Sequence, residues 1–193
     1  MMEVEIIEVT KESLIRCKDL CNALMQYQAE KSHLHPEILA AMNFENRLQP
    51  SFFSTENKLL LLAEYLGKPI GYAYANTYDI DQEGRYFLPD WLANIYQEGQ
   101  LIFYPKEQRL PATIGVFNNL YVKPEFHGKG IGWKLSTLLM EWLKQSDAED
   151  LYVYISNGNE KVMEPFYQQL GFHYSHEVLD GFISAYKQSS GIQ

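Results

Sequence analysis

Three glycines at alternate positions, Gly128, Gly130 and Gly132, separate two segments of opposite character. The run 114–122 before them is apolar and β-prone, which predicts a strand, and Pro124 after it cannot donate to a sheet ladder. Beyond the glycines, apolar residues recur at helical spacing: Ile131, Leu135, Leu138, Leu139 and Trp142. A strand is therefore expected to turn through a glycine loop directly into a helix.

This junction has the chemistry of an anion site. Glycine adopts positive φ at no steric cost and lets the backbone approach a ligand closely. The N–H groups of a helix's first turn have no intrahelical partner, and the helix dipole favours negative charge beside them. The junction therefore suits a phosphate or pyrophosphate, and the alternative interpretation is a glycine-rich turn that binds no ligand.

The glycine spacing excludes two common nucleotide loops. A Walker loop needs four residues between its glycine and its Gly-Lys pair, and this spacing is absent. The dinucleotide fingerprint G-x-G-x-x-G is also absent, because Trp133 occupies the position of its third glycine. The pattern present, His127-x-x-Gly130-x-Gly132, resembles the acetyl-CoA pyrophosphate loop of the GNAT superfamily of N-acetyltransferases, which reads Arg or Gln-x-x-Gly-x-Gly or Ala. His127 departs from that pattern, so the family's side-chain contact does not carry over directly, whereas the backbone amides are unchanged.

A second motif near the C-terminus agrees with the first. The segment Pro165-Phe166-Tyr167-Gln168-Gln169-Leu170-Gly171-Phe172 is similar to the family's Phe-Tyr-x-x-x-Gly-Phe. The resemblance implies that Tyr167 is catalytic and gives a proton to the departing CoA thiolate; the alternative is a packed core aromatic. An upstream Asn commonly binds the pantetheine arm, and Asn157 and Asn159 are both available.

The resemblance also implies a set of cofactor contacts from the strand end, the glycine loop, the first helical turn and one asparagine. These residues are Leu120, Tyr121, Val122, His127, Gly128, Lys129, Gly130, Ile131, Gly132, Trp133 and Asn159. Acetyl-CoA is the expected cosubstrate. No metal is expected, because the His33/His35 and His173/His176 pairs lack a Cys or carboxylate cluster at ligand spacing.

The rest of the chain predicts an α/β fold with a mixed central sheet flanked by helices, in one domain over 1–193. Strands are expected at about 3–9, 58–66, 70–78, 114–122, 151–156, 172–178 and 182–187, and helices at about 10–31, 36–48, 131–145 and 159–170. Thr10 is expected to cap the first helix and Pro50 to follow the second. This order agrees with the GNAT fold.

The segment 79–111 separates two strands that a compact fold would join with a short loop. We interpret it as an insertion before the fourth strand, with a short helix at 89–96. It is expected to cover the sheet edge or the active-site mouth, and the alternative is a contact in a homodimer.

Composition limits the class of protein. Its 46% apolar and 21% charged residues are ordinary for a globular chain. No apolar run approaches the roughly 20 residues of a membrane helix, and the N-terminus lacks a signal-peptide profile. We expect a cytoplasmic protein that binds neither membrane nor nucleic acid.

Cys17 and Cys21 are expected to be core thiols. Tyr72, Tyr74 and Tyr78 alternate on one strand face, and they either line a substrate cleft or are ordinary strand aromatics.

Amide formation sets three requirements. The amine must be neutral, so some group must accept its proton. The acetyl oxygen needs a donor, most simply a backbone N–H within 119–121. The leaving thiolate must be stabilised or protonated, a role that the resemblance gives to Tyr167. The base stays open: Asn118 and Asn119 stand where some relatives place a Glu, and Glu64, Glu125 or a water chain could serve.

The formal charge of −9, from 25 acidic and 16 basic residues, favours a cationic acceptor, although acidity for solubility alone is an alternative. Acidic residues recur in the inserted segment: Asp79, Asp81, Glu83, Asp90 and Glu98. The expected function is therefore acetyl-CoA-dependent N-acetyltransfer, directly to the primary amine of a small cationic molecule. A protein N-terminal or lysine acetyltransferase and an acetyl-CoA sensor without turnover remain as alternatives.

Overall fold

A computed structural model describes residues 3–85 and 103–189, and a single mixed sheet dominates it. The seven strands lie in the order β1-β2-β3-β4-β5-β7-β6, and every neighbouring pair is antiparallel except β4 with β5. The strands are β1 Glu5–Glu8, β2 Lys58–Tyr65, β3 Lys68–Ile80, β4 Ala112–Val122, β5 Asp150–Ser156, β6 His173–Val178 and β7 Ile183–Ser189. The predicted mixed α/β class is confirmed.

Helices cover both faces of the sheet. They are α1 Lys18–Lys31, α2 Pro36–Ala40, α3 Gln49–Ser54, α4 Ile131–Gln145 and α5 Glu160–Gln169. The first three pack on one face together with a 3₁₀ turn at Leu14–Cys17 and a π-helical turn at Phe44–Leu48. Helices α4 and α5 pack on the other face. Within residues 3–85 and 103–189, no helix combines the length and apolar character needed to cross a membrane.

The α1 face contains the thiols and two of the three tyrosines of β3, whereas Tyr78 packs in a different cluster. Cys17 and Cys21 are buried and unbridged, and burial raises the pKa of the Cys17 thiol to about 12, which keeps it protonated and unreactive. Tyr72 and Tyr74 are fully buried in the same core, and the Tyr74 hydroxyl lies 3.1 Å from Ser51 Oγ. These two tyrosines are therefore core residues and not cleft residues.

Helix α4 has the predicted amphipathic face. Its residues Ile131, Leu135, Leu139 and Leu143 are buried against the sheet. Leu138 was expected on that face but is 37% exposed. A helix advances about 100° per residue, so the buried stripe through Leu135, Leu139 and Leu143 leaves Leu138 at its edge.

The N-terminal helices differ from the prediction at two capping positions. Thr10 does not cap a helix: its hydroxyl donates to the Glu12 carboxylate at 2.8 Å, and α1 starts only after the 3₁₀ turn. Pro50 does not end a helix but stands in the first turn of α3. Proline is tolerated there because the N–H groups of a first turn have no helical partner.

The two predicted hairpins are present. The β2–β3 turn uses Leu66 and Gly67 at φ values of 52° and 73°, and the β6–β7 turn includes Asp180 and Gly181. Strand β3 continues to Ile80, further than expected, and β4 begins at Ala112. The helix predicted at 89–96, with Asp90 and Glu98, lies outside the described residues.

Candidate active site

Strands β4 and β5 pair over only part of their length. Their parallel pairing ends at Phe117 and Val153. A β-bulge follows at once in β4, where Asn118 is an extra residue between Phe117 and Asn119 in the register with β3. A bulge bends its strand and increases the local twist. The two strands therefore diverge, and residues 118–122 of β4 face a gap.

The backbone of β4 presents hydrogen-bonding groups to this gap. Lys123 N–H donates to the Ile70 carbonyl of β3 at 2.8 Å. Backbone groups alternate in direction along a strand, so Tyr121 also points toward β3. The N–H and C=O of Leu120 and Val122 point the other way, into the gap. Within 119–121, only Leu120 therefore presents its N–H there.

The glycine loop has the backbone geometry that requires glycine. After a 3₁₀ turn at Pro124–Phe126, Gly128 and Gly130 adopt φ values of 71° and 75°. A Cβ added to either would meet no heavy atom within 4 Å, so packing does not explain the two glycines. At Gly132 a Cβ would contact only Val122, at 3.8 Å. The loop leaves open space beside its backbone.

The start of α4 supplies donors to that open space. The first helical bond runs from Lys134 N–H to the Gly130 carbonyl at 2.9 Å. The backbone N–H groups of residues 130–133 find no acceptor among the described residues. Four unpaired donors beside two glycines without side-chain cover form a cradle that fits a pyrophosphate.

His127 stabilises the loop from within. Its Nε2–H donates to the Val122 carbonyl at 2.7 Å, which ties the loop back to the end of β4. Lys129 also turns back: its Nζ donates to the Glu125 carbonyl at 3.1 Å and lies 5.1 Å from the centre of the Phe126 ring. Both side chains therefore contact the loop itself.

A cavity of about 440 Å³ fills the gap and reaches the glycine loop. Its walls come from β4, the loop and the start of α4, the end of β5, and α5, with Leu24, Tyr27 and Gln28 of α1 at another side. Every predicted cofactor residue lines this cavity except Lys129, and so does Tyr167. The structure thus brings together two motifs that are separate in the sequence.

The cavity also has lining residues that the sequence analysis missed. On α5, Val162 and Phe166 are one turn apart and line it together with Met163. The Phe166 ring meets Trp133 edge to face at 5.9 Å. The apolar pair Val162 and Phe166, four residues apart, was the available signal in the sequence for this apolar stripe. Nothing local in α1 indicated that Tyr27 would reach the cavity.

Tyr167 is held among aromatic rings. Its ring centre lies 5.5 Å from that of Phe117, 5.4 Å from Phe166 and 6.1 Å from Phe172, and the residue is 5% exposed. Burial alone raises the pKa of its phenol well above the ordinary value. The hydroxyl therefore carries its proton at neutral pH.

The two candidate asparagines have different surroundings. Asn157 Oδ1 accepts from Ser32 Oγ at 2.9 Å and from the N–H groups of His33 and Leu34, each at 2.8 Å. Its Nδ2 donates to the carbonyls of Leu34 and Phe182, each at 3.1 Å. Asn157 is therefore fully occupied in fastening the α1–α2 connection to the end of β5.

Asn159 instead lines the cavity. It is buried, and its Nδ2 donates to Ser156 Oγ at 2.9 Å, whereas no described residue donates to its Oδ1. Gly158 separates the two asparagines at a φ of 81°, and a Cβ there would lie 2.0 Å from the Lys31 carbonyl oxygen. Only glycine fits this turn, which directs the two amides to different environments.

Neither carboxylate considered as a base lines the cavity. Glu64, on β2, is buried in an ion pair with Arg16. Glu125 is exposed on the outside of the loop. Asn118 and Asn119, in contrast, both line it.

The acidic residues expected at the active-site mouth lie elsewhere, and that expectation is wrong for the three that are described. Asp79 accepts a hydrogen bond from Thr113 at 2.7 Å, and Asp81 and Glu83 both form ion pairs with Arg85. Thr113 precedes the diverging part of β4 by five residues or more, which at about 3.3 Å per residue is roughly 17 Å along the strand. These acids are at the far end of the sheet.

Comparisons with known proteins agree with this geometry. The PaiA N-acetyltransferase from Thermoplasma acidophilum, solved in complex with coenzyme A, has a TM-score of 0.62 at 17% identity, covering 97% of this chain and 99% of that one. A GNAT-family acetyltransferase from Streptococcus pneumoniae has a TM-score of 0.57 at 16% identity, covering 98% and 100%. The ribosomal-protein-S18-alanine N-acetyltransferase from Escherichia coli has a TM-score of 0.52 at 15% identity, covering 96% and 91%.

At these identities the likeness concerns the fold. The sequence matches no curated protein. A family model described as the acetyltransferase (GNAT) family, however, matches residues 18–172, which include the glycine loop, the diverging strands and the tyrosine motif. With the fold, the cradle and both motifs in agreement, the chain belongs to the GNAT family of acetyltransferases, which use acetyl-CoA as the acyl donor.

Proposed function

We propose that this chain is an N-acetyltransferase that moves the acetyl group of acetyl-CoA directly to the primary amine of a small molecule. One observation carries the proposal: a single cavity joins the anion cradle at the start of α4, the inward backbone groups of β4 and the Tyr167 phenol. A site that only sensed acetyl-CoA would not need a proton donor at this place. The position of the Tyr167 phenol in the cavity wall therefore favours turnover.

The cosubstrate is assigned to three sets of groups. The N–H groups of residues 130–133 are suited to its pyrophosphate, because the open space at Gly130 permits close approach. The inward C=O of Leu120 and the inward N–H and C=O of Val122 are suited to the amides of the pantetheine arm, which would pair with β4 as a short strand does. The Asn159 Oδ1 can accept from a pantetheine N–H. When bound, acetyl-CoA supplies the activated thioester.

The chemistry then assigns one role to each protein group. The neutral amine nitrogen attacks the thioester carbonyl carbon, so that the C–N bond forms and the C–S bond breaks. Leu120 N–H is placed to stabilise the developing charge on the carbonyl oxygen. Tyr167 gives its proton to the departing sulfur and is reprotonated by the proton that the nitrogen loses. No acyl-enzyme is required.

The choice of a small cationic acceptor has narrower support. The net charge of −9 attracts cations to the molecule as a whole. The described acids of the inserted segment do not add to this attraction at the cavity, because they lie at the other end of the sheet. The choice of a small cationic acceptor therefore rests on overall charge.

Thiol release tests the proposal. With acetyl-CoA and a panel of primary amines, Tyr167→Phe should lower kcat by about 100-fold, the usual effect of losing a general acid, and should leave acetyl-CoA affinity nearly unchanged. Tyr186→Phe is the matched control, since Tyr186 is also a buried tyrosine but does not line the cavity. Its kcat should equal that of the parent.

Two results would contradict the proposal in different ways. An unchanged kcat in Tyr167→Phe would return that tyrosine to a packing role. An absence of thiol release with every amine, in a protein that binds acetyl-CoA, would favour the sensor.

A further inference from the structure

The wall of the cavity where the strands diverge is formed by amides and phenols. This is the side on which an acceptor must meet the thioester, if the proposed function is correct. Asn118 and Asn119 occupy the bulge of β4. The titratable groups that face the cavity come one from each surrounding element: Tyr27 of α1, Tyr121 of β4, His127 of the loop, Tyr154 of β5 and Tyr167 of α5.

Three of these phenols are poorly suited to take a proton from an amine. Burial raises the pKa of Tyr167, and burial together with Glu125 raises that of Tyr121, so both phenols stay protonated. The Tyr154 hydroxyl donates to the Phe103 carbonyl at 2.7 Å. The His127 ring is held by the Val122 carbonyl at the loop end of the cavity.

Asn119 stands out within this wall. It is only 4% exposed, and its side-chain oxygen has no hydrogen-bond partner among the described residues. Its neighbour Asn118 is engaged, since Asn118 Nδ2 donates to Asn76 Oδ1. Buried side-chain oxygens are nearly always paired, and an unpaired one destabilises the fold, so its retention next to a cavity points to a ligand that supplies the missing donor.

We infer that Asn119 receives the acceptor amine: its side-chain oxygen accepts a hydrogen bond from the amine N–H and orients the nitrogen toward the thioester. An amide can accept this bond but cannot take the proton. The amine therefore enters as the free base, having left one proton in water. After C–N bond formation the second proton passes to the leaving sulfur by way of Tyr167, so that neutral amine and acetyl-CoA give amide and free thiol.

This assignment selects a substrate class. Near pH 7, about one in ten molecules of an α-amine with a pKa near 8 is neutral, against about four in ten thousand for an aliphatic amine with a pKa near 10.4. The α-amine therefore gains an advantage of roughly 200-fold in reactive concentration. We expect the acceptor to be a small α-amino compound whose carboxyl group is amidated or esterified, because removing the carboxylate keeps the pKa of the α-amine near 8 and leaves the molecule cationic.

The first test varies the pKa of the acceptor. Glycinamide and n-butylamine are compared by thiol release from pH 6 to pH 9.5, with kcat/KM expressed per total amine. For glycinamide, kcat/KM should rise with pH and level off near pH 8, whereas for n-butylamine it should rise tenfold per pH unit over the whole range. If both profiles bend at the same pH, an enzyme group takes the proton and the inference is wrong.

The second test changes the oxygen of Asn119. Asn119→Leu should reduce kcat/KM for glycinamide by about tenfold, the loss of one hydrogen bond, while the Tm stays the same or rises because an unpaired buried oxygen has been removed. The KM for acetyl-CoA should not change. A lower Tm together with an unchanged kcat/KM would make Asn119 a structural residue and overturn the assignment.

The third test supplies the missing base. Asn119→Asp replaces the amide with a carboxylate of the same shape whose pKa burial should raise. The kcat/KM ratio of n-butylamine to glycinamide should then rise at pH 7 by tenfold or more. Gln28→Glu is the control for charge, since it makes the same exchange on the α1 wall of the same cavity. The new charge in Gln28→Glu should attract both amines alike and leave the kcat/KM ratio of n-butylamine to glycinamide unchanged. An equal rise of this ratio in Asn119→Asp and Gln28→Glu would contradict a role for position 119.

These outcomes separate the inference from the function on which it rests. Thiol release in which the pH profile of kcat/KM does not depend on the pKa of the acceptor amine overturns the inference alone. No thiol release with either amine at any pH, while acetyl-CoA still binds, overturns the proposed function.

Discussion

Two glycines with the same backbone conformation permit a controlled test of the cofactor cradle. Gly130 in the loop and Gly67 in the β2–β3 turn have φ values of 75° and 73°, and a Cβ at either would meet no heavy atom within 4 Å. Alanine in this conformation costs about 1–2 kcal/mol. Both Gly130→Ala and Gly67→Ala should therefore lower the Tm by about 2–8 °C for a chain of this size.

Only the loop variant should lose cofactor affinity. A Cβ on Gly130 projects into the space beside the unpaired N–H groups of 130–133. Each hydrogen bond to a charged group that it disrupts is worth about 1.5–3 kcal/mol, which corresponds to about 10- to 150-fold in Kd. Gly130→Asp adds like-charge repulsion, about 3 kcal/mol per phosphate charge at 5 Å and an effective dielectric constant of 20. Its binding should fall below detection.

Titration calorimetry with coenzyme A, alongside thermal unfolding, measures both quantities. Gly132→Ala is a further comparison, because Gly132 has an ordinary φ and a Cβ there would make only a normal contact with Val122. We expect it to bind coenzyme A like the parent. Equal affinities in Gly130→Ala and Gly67→Ala, or unchanged binding in Gly130→Asp, would refute the placement of the pyrophosphate.

Two further predictions follow from the surroundings of polar side chains. Asn157→Ala removes five hydrogen bonds and leaves the N–H groups of His33 and Leu34 without an acceptor, so it should destabilise the fold by about 2 kcal/mol or more in chemical denaturation. Asn159→Ala should instead raise the KM for acetyl-CoA with a small change in stability. A raised KM in Asn157→Ala together with a destabilised Asn159→Ala would mean that Asn157 binds the cofactor and Asn159 is structural. The triple variant Asp79→Asn, Asp81→Asn, Glu83→Gln should show the same salt dependence of kcat/KM as the parent, because these acids lie far from the cavity. A weaker salt dependence in this variant would mean that the acids act at the active-site mouth.

The features that depend on neighbouring residues were predictable from the sequence. The glycine loop, the helix after it and both hairpin turns follow from local chemistry: positive φ at Gly128 and Gly130, 3.6-residue periodicity in α4, and an Asp-Gly pair before β7. The two family motifs identified the fold and the face of the site. The residues of both motifs line one cavity.

Features that depend on distant contacts were not predictable. Asn157 and Asn159 look equivalent in the sequence, and their difference arises from the Gly158 turn and from the position of Lys31 in space. The acids near residue 80 seemed close to the site because they are close to the inserted segment in sequence. The length and register of β3 determine that they are at the opposite end, and neither quantity is encoded locally.

The divergence of β4 and β5 has a mechanical consequence. It divides the sheet into two panels, β1–β4 and β5–β7–β6, that share only four residue pairs. The inward side of β4 is therefore a strand edge that faces the interior, where water or a ligand must satisfy its backbone groups. An extended molecule bound along this seam ties the panels together, so that cofactor occupancy and resistance to unfolding form one linked equilibrium. At a ligand concentration one hundred times its Kd, that linkage adds about 2.7 kcal/mol to the stability of the fold.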